Sequence, residues 1–288
     1  MSMPLFSIVL PVKNGEKYLS SAIASIVNQS LKDFELIVVN DNSTDQTSAI
    51  LDTWIKRDER IRVIPSNSTK KLPGALNTGF AAARGQWFTW TSHDNILEPV
   101  FLEVFFNALS TQGLDFAYSN YWLIDAEGKR TRLVEVRDSK YLHYENVVGA
   151  SFAYSSRLAK LVGPYDESAF MFEDYDFWVR ASKIGLPFER IQVAPYEYRL
   201  HDSQISRRIR LPRNYIDFRL GLLSNTKDNH TRELNLAFSD LVIKALTCEK
   251  PWLAFKVFWF GFRRGFFSFI YRLLELLVRN IVRKLRKR

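Results

Sequence analysis

Cysteine is almost absent: Cys248 is the only one in 288 residues. One thiol can form no intrachain disulfide and cannot furnish a four-cysteine zinc site. Long apolar runs are missing too. The most aromatic stretch, Trp252 to Tyr271, is broken by Lys256, Arg263 and Arg264, and no segment approaches the roughly 20 apolar residues that span a bilayer. No basic stretch, apolar core and cleavage site precede the apolar run Phe6 to Leu10, so no signal peptide is expected. Internal repeats and low-complexity linkers are also lacking. The first 250 residues carry no charge excess. The formal +9 sits entirely in residues 251–288, where ten Lys/Arg face one acid, Glu275. A basic nucleic-acid-binding domain would not segregate its charge in this way, although a basic tail could; no nucleic-acid partner is expected, a basic-tailed nucleic-acid-binding protein being an alternative reading.

What remains is a core-forming chain, 47% hydrophobic and 14% aromatic. Its first hundred residues alternate between two periodicities. Ser7 to Leu10, Leu36 to Val39, Ile61 to Ile64 and Trp87 to Thr91 read as strands. Between them, residues 16–28 place Leu19, Ala22, Ile23, Ile26 and Val27 on one helical face. Thr44 or Asp45 can cap a helix running to about Lys56, and 74–83 read as a small-residue helix ending at Gly85. Such alternation implies an α/β fold with a mostly parallel sheet flanked by helices. Further on, Phe116 to Ile124 and Lys129 to Val136 read as a hairpin around Asp125 to Gly128. Residues 173–184 read as a helix, 192–200 as extended, and the chain beyond about 206 as helical.

Carboxylates mark the chemistry. Asp41 follows a buried strand directly, at the carboxyl end where open α/β sheets bind ligands. There it can accept a hydrogen bond from a base or ribose, whereas a phosphate would be repelled. Asp94 ends another predicted strand, so both acids can face one crevice, and a carboxylate there can hold Mg²⁺ or Mn²⁺ against phosphate oxygens. The pair Glu173-Asp174 opens a helix. Two uses fit it: complementing the helix dipole, or supplying a general base.

The order of these pieces resembles that of the family 2 glycosyltransferases with the GT-A (Rossmann-like) fold. The resemblance rests on Ser7 to Asn14, Val38 to Asp45, Asn77-Thr78-Gly79 with Ala83-Arg84-Gly85, Ser92-His93-Asp94, Gly163 to Asp166, Glu173 to Arg180, and Tyr198 to His201. It implies inverting transfer from a nucleotide-diphosphate sugar, a UDP-sugar being favoured. Pro11, Val12, Asn14, Asp41, Asn77, Ser92 and His93 would line the nucleotide. Asp94, helped by His201, would hold Mn²⁺ or Mg²⁺ on the diphosphate. Asp174, with Glu173 beside it, would be the catalytic base. The chain departs from the pattern at Asn40, at Ser92 and His93 within the Asp-X-Asp motif, and at Leu76, where the family has Arg. These departures leave open a metal-independent variant, in which Arg207 or Arg208 neutralises the diphosphate, and a sugar-nucleotide-binding protein with weakened catalysis. The segment Gln204 to Arg208 lacks the Trp of processive synthases, so single additions are expected.

Three regions follow: a catalytic domain over 1–206, a helical connection over 207–250 and a membrane-associating region over 251–288. In the last, Phe266, Ile270, Leu273, Leu274, Leu277, Ile281 and Leu285 fall on one face, with Arg272, Arg279, Arg283 and Arg286 off it. Aromatic, amphipathic and basic together describe a helix lying in an anionic membrane interface. The expectation is a peripheral enzyme on the cytoplasmic face of the inner or plasma membrane, acting on a lipid-linked or free glycan.

Overall fold

The structure is a computed structural model that describes residues 3–66, 71–205, 212–225, 231–247 and 252–263. Arg207, Arg208 and the stripe beyond residue 264 lie outside the described residues. The chain divides into two compact units, one of residues up to Ser139 plus Val147–His201, the other of Lys140–Asn146 plus the chain from Asp202.

The first unit is α/β. Strand β1 (Phe6–Val12) is buried along its whole length and lies between β2 (Phe34–Asn40) and β4 (Trp87–Trp90), parallel to both. Continuous apolar runs of this kind suit a strand covered on both faces. β3 (Ile61–Pro65) continues the parallel set beside β2. Helices α1 (Leu19–Val27), α2 (Thr47–Ile55) and α3 (Lys71–Ala81) make the crossovers. α1 buries Leu19, Ala22, Ile23 and Ile26, the spacing of one helical face. α2 starts just after Asp45, whose Oδ1 accepts from Thr47 N at 3.0 Å.

β5 (Ile96–Leu97) and α4 (Phe101–Gln112) lead to β6 (Phe116–Ser119), β7 (Tyr121–Ile124), β8 (Arg130–Val134), β9 (Phe152–Ser155) and α5 (Ser156–Val162). The unit closes with α6 (Glu173–Ser182), β10 (Phe188–Ile191) and β11 (Tyr196–Arg199). The main sheet runs β10-β6-β9-β4-β1-β2-β3, with β9 antiparallel to both neighbours. A second sheet runs β5-β11-β7-β8.

One predicted strand is corrected here. Phe116 to Ile124 is two strands that part at Asn120, one in each sheet. Asn120 fixes the break: its Nδ2 donates to Gln192 O at 2.8 Å and its Oδ1 accepts from Val136 N at 2.9 Å. The hairpin turn itself stands, with Asp125 Oδ1 accepting from Glu127 N and Lys129 N.

The second unit contains α7 (Arg213–Asn225), α8 (Thr231–Thr247) and α9 (Leu253–Arg263). Its core joins Ile216 and Leu223 to Phe238, Leu241, Ala245 and Val257. Arg219 is buried among them and is held by Tyr144 O and Tyr215 Oη. Among the described residues no helix is long and apolar enough to cross a membrane.

Candidate active site

The carboxyl ends of β2, β1 and β4 open on one edge of the sheet, and the loops leaving them are stitched together. Asp41 N donates to Val12 O at 2.8 Å. Asn14, in the left-handed region at φ 53°, accepts from Thr44 N at 2.8 Å and donates its own N–H to Ser43 Oγ. Gly15 N donates to Thr47 Oγ1, Glu16 N to Asp45 Oδ2, and Gln46 N to Glu16 Oε2. A side chain at Gly15 would put Cβ 2.6 Å from Val12 Cγ2 and 2.9 Å from His93 Cδ2, so only glycine lets this loop lie so close to the β4 loop. Asp41 itself is mostly buried, with Lys13 Nζ 3.6 Å from its Oδ2. Pro11 and Val12 are buried within β1.

Asp94 is set by its neighbours. Arg199, buried at the end of β11, donates its Nε to Asp94 O at 2.8 Å and its backbone N–H to Asn95 Oδ1 at 3.0 Å. Tyr196 Oη bonds Thr91 and Asn95. His201 Nε2 lies 2.9 Å from Asp94 Oδ2, both side chains about 9% exposed. Tyr18 packs its ring 5.1 Å from His201 and beneath the Arg199 guanidinium. The other oxygen, Asp94 Oδ1, is buried and has no hydrogen-bond partner among the described residues.

A buried carboxylate oxygen left bare is unfavourable unless something cationic or donating meets it, so this oxygen fits a hard divalent cation. Among the described residues no three His, Cys, Asp or Glu side chains gather into a complete cage. A cation here would therefore complete its shell with water and phosphate oxygens, as Mg²⁺ commonly does. Burial, first of all, pushes His93 below the usual imidazole range. Asp94 and Asp45 pull it up and His201 presses it down, which ties the three loops electrostatically. Ser92 is half-buried, its carbonyl closing the turn to Asn95 N at 3.4 Å.

Glu173 and Asp174 part company. Glu173 is 5% exposed and accepts from Met171 N at 2.7 Å, holding Met171 at φ 82°. Burial, then the charge of Asp174, pushes Glu173 up to about 8. A carboxyl that keeps its proton near neutrality accepts a second one poorly at that pH. Asp174 accepts from Tyr175 N at 2.7 Å, and its charge helps raise Tyr121 and Tyr165 above the usual phenol range, after burial as the main cause. Of the first-turn acids, Asp176 is mostly buried and pairs with Arg180 at 2.8 Å.

Asn77 is engaged in structure. Its Oδ1 accepts from Tyr165 N at 2.8 Å and its Nδ2 donates to Tyr165 O at 2.9 Å, pinning α3 to the Gly163–Asp166 turn. Trp178 is fully buried, stacked edge-on against Phe116 and Phe152. Arg199 and Tyr18, not picked out from the sequence as site residues, clamp Asp94 and His201. The Arg of the Tyr198-to-His201 segment was the only signal for them.

The model of the family described as Glycosyl transferase family 2 matches residues 7–173, more than half of the chain. The chain belongs to that family. The match ends at Glu173, so Asp174 and the Arg199-to-His201 segment lie beyond it.

Relatives agree with the assignment. An uncharacterized glycosyltransferase of Rickettsia typhi is 32% identical over 216 residues, covering 70% of this chain and 65% of its own. One from Methanocaldococcus jannaschii is 30% identical, covering 72% of this chain and 75% of its own. One from Haemophilus influenzae is 34% identical over half of this chain and 57% of its own length. The chain thus spans between about half and three quarters of these relatives. In structure it resembles S. aureus TarS 1-349 in complex with UDP-GlcNAc, with TM-score 0.63, 17% identity and coverage of 84% of this chain and 72% of that one. It also resembles the mannosyltransferase PcManGT of Pyrobaculum calidifontis in complex with GDP-Man and Mn²⁺, with TM-score 0.58, 13% identity and coverage of 98% and 88%. At such identities the likeness is one of fold, and the fold of this family 2 glycosyltransferase is GT-A-like.

Proposed function

We propose that this family 2 glycosyltransferase moves a hexosyl or N-acetylhexosaminyl group, with inversion and one addition per encounter, from a nucleotide-diphosphate sugar to a hydroxyl of a glycan or lipid-linked glycan. A UDP-sugar is favoured, in keeping with the UDP-GlcNAc bound by TarS. The observation that carries the reading is the bare, buried Oδ1 of Asp94 at the sheet edge beside the β1 and β2 loops. Asp41 would accept from the base or a ribose hydroxyl, and the Asn14 loop would frame the nucleoside end. Asp94, steadied by His201 and Arg199, would hold Mn²⁺ or Mg²⁺. Bound there, the cation supplies positive charge against the departing diphosphate.

Asp174 would take the proton of the acceptor hydroxyl as its oxygen bonds the anomeric carbon. The bond from that carbon to the diphosphate oxygen breaks, its electron pair leaving with the nucleoside diphosphate. Attack from the face opposite the leaving group inverts the centre. The decisive variant is Asp174→Asn. Donor binding, followed as a thermal shift with nucleotide sugar and Mn²⁺, should persist, while transfer should drop by about 10²-fold or more. Near-normal turnover would remove Asp174 from the role of base.

A second reading, a nucleotide-sugar-binding scaffold that has lost catalysis, draws on Asn40, Ser92 and Leu76, the last fully buried where the family has arginine. Measurable donor hydrolysis or transfer by the purified protein would dismiss it.

A further inference from the structure

Arg199 ends β11 and is 5% exposed. Burying a guanidinium is unfavourable unless its N–H groups find acceptors. Here they reach two loops at once. Nε donates to Asp94 O at 2.8 Å, in the turn that leaves β4. Nη1 donates to Asp125 O at 3.2 Å and to Ala126 O at 3.1 Å, in the turn that joins β7 to β8. The ring of Tyr18, just before α1, lies 4.7 Å from the same guanidinium. The backbone repeats the link: Arg199 N donates to Asn95 Oδ1 at 3.0 Å, and Leu200 N donates to Ile124 O at 2.8 Å. The β7–β8 turn is itself shaped by a carboxylate, Asp125 Oδ1 accepting from Glu127 N at 3.1 Å and Lys129 N at 2.8 Å. Gly128, at φ 93°, closes the turn beside the guanidinium, where a Cβ would stand 3.4 Å from Nη1.

We propose that Arg199 is a positioning residue that couples the β7–β8 turn to the metal-binding carboxylate, so that the place of the turn and the orientation of Asp94 are set together. The coupling rests on Asp94 being the ligand of Mn²⁺ or Mg²⁺. Shape matters here more than charge. One rigid, planar guanidinium offers Nε to the Asp94 turn and Nη1 to the hairpin. A lysine ammonium is a single point and cannot stand in both places. Fixing the Asp94 backbone fixes where its carboxylate points, and His201 Nε2, 2.9 Å from Oδ2, holds the far end. Tyr18 packs against both partners, 5.1 Å from the His201 ring. Groups that orient a ligand in this way set metal affinity by about 10- to 100-fold. Linkage makes the coupling reciprocal: a cation that favours this orientation of Asp94 also favours the ordered turn. Metal at the edge of the main sheet is then felt at the tip of a hairpin in the second sheet.

The test uses the full chain with Mn²⁺ and UDP as probes. Free Mn²⁺ is followed by its electron paramagnetic resonance signal in the presence of UDP, and amide hydrogen exchange of residues 125–129 is measured with and without both probes. Arg199→Lys keeps the charge and removes the fork, and should bind Mn²⁺ about tenfold or more weakly than wild type. In wild type, Mn²⁺ with UDP should slow exchange of the turn; in Arg199→Lys that slowing should vanish. A merely structural arginine would lower the thermal midpoint and leave the slowing in place. Asp125→Ala, which removes a carboxylate that bonds within the turn, should weaken Mn²⁺ binding by a smaller factor and guards against a folding defect in Arg199→Lys. Wild-type Mn²⁺ affinity in Asp125→Ala overturns the proposal, whether or not Arg199→Lys folds. Exchange in the wild-type turn that ignores Mn²⁺ and UDP overturns it too. Wild type that binds no Mn²⁺ removes the metal reading of Asp94, and the coupling with it. Mn²⁺ bound equally by wild type and variants removes the coupling alone, so the two failures are distinct.

Discussion

Glu173→Gln should flatten the alkaline limb of this protein's stability. Glu173 is 5% exposed and its carboxyl is pushed from an ordinary 4.5 up to about 8, by burial first and by Asp174 second. Between those values the native state keeps a proton that the unfolded chain has released. Stability therefore falls as pH rises through the window, and most of what Glu173 contributes in acid is gone above about 8. Each pH unit is worth about 1.4 kcal/mol, so the step from pH 6 to pH 8 carries on the order of 3 kcal/mol. Glutamine is neutral throughout, has nearly the same shape, and its carbonyl can still accept from Met171 N, 2.7 Å from Oε2 in the native site. Urea unfolding from pH 5.5 to 9 should show the wild type declining more steeply than Glu173→Gln by roughly that amount. Other titrating groups cancel in the difference. At pH 7 the variant should transfer sugar within a few-fold of wild type, because glutamine resembles the protonated acid. Parallel stability profiles would refute the buried-acid account. Loss of transfer as deep as that of Asp174→Asn would make Glu173 the base instead.

Two other substitutions address the site and its frame. Asp94→Ala should weaken donor binding and abolish any stimulation by Mn²⁺, since the bare Oδ1 and the His201 contact disappear together; a titration of activity against Mn²⁺ that is unchanged in the variant would contradict the assignment. Glu35→Gln should destabilise the first unit by about 2 kcal/mol, because Glu35 is buried and accepts from Ser7 Oγ, Arg84 N, Arg84 Nη2 and Arg62 Nη1 at 2.7 to 3.0 Å. Burial opposes its charge, yet the Ser7 and Arg84 hydrogen bonds and the Arg84 charge hold the carboxyl below its usual range. Its stabilisation is present above the unfolded value near 4.5 and is lost as pH falls through the lower folded one, so wild type and Glu35→Gln should converge in acid. A gap in unfolding free energy that stays constant from pH 7 to pH 3 would show that the charge is not what stabilises.

The parallel half of the sheet was legible because each strand states its own environment. Ile8 to Leu10 and Leu36 to Val39 are continuous apolar runs, as a doubly covered strand requires, and the polar exits of Phe34–Asn40 and Trp87–Trp90 located Asp41 and Asp94 at one edge. Segments whose partners are distant in sequence were not legible. The strand Phe152–Ser155, antiparallel in a parallel sheet, and the break at Asn120 are fixed by hydrogen bonds to Gln192 and Val136 that no local pattern announces. The same holds for Asn77, which read as a nucleotide contact and spends its amide on the Tyr165 backbone.

The sequence by itself determined the residue types: a family 2 order of motifs, acids after strands, an acidic pair at a helix start and a basic aromatic tail. Local periodicity and turn chemistry suffice for that, since they depend on neighbours a few positions apart. Tertiary structure alone decided what each acid can do. Asp94 becomes a ligand candidate because Arg199 and His201, more than a hundred residues away, grip one side of it and leave the other bare. Glu173 and Asp174, adjacent in the chain, stand in different surroundings because folding removes water from Glu173, and the electrostatic cost of a buried charge depends on surroundings that only the folded chain supplies.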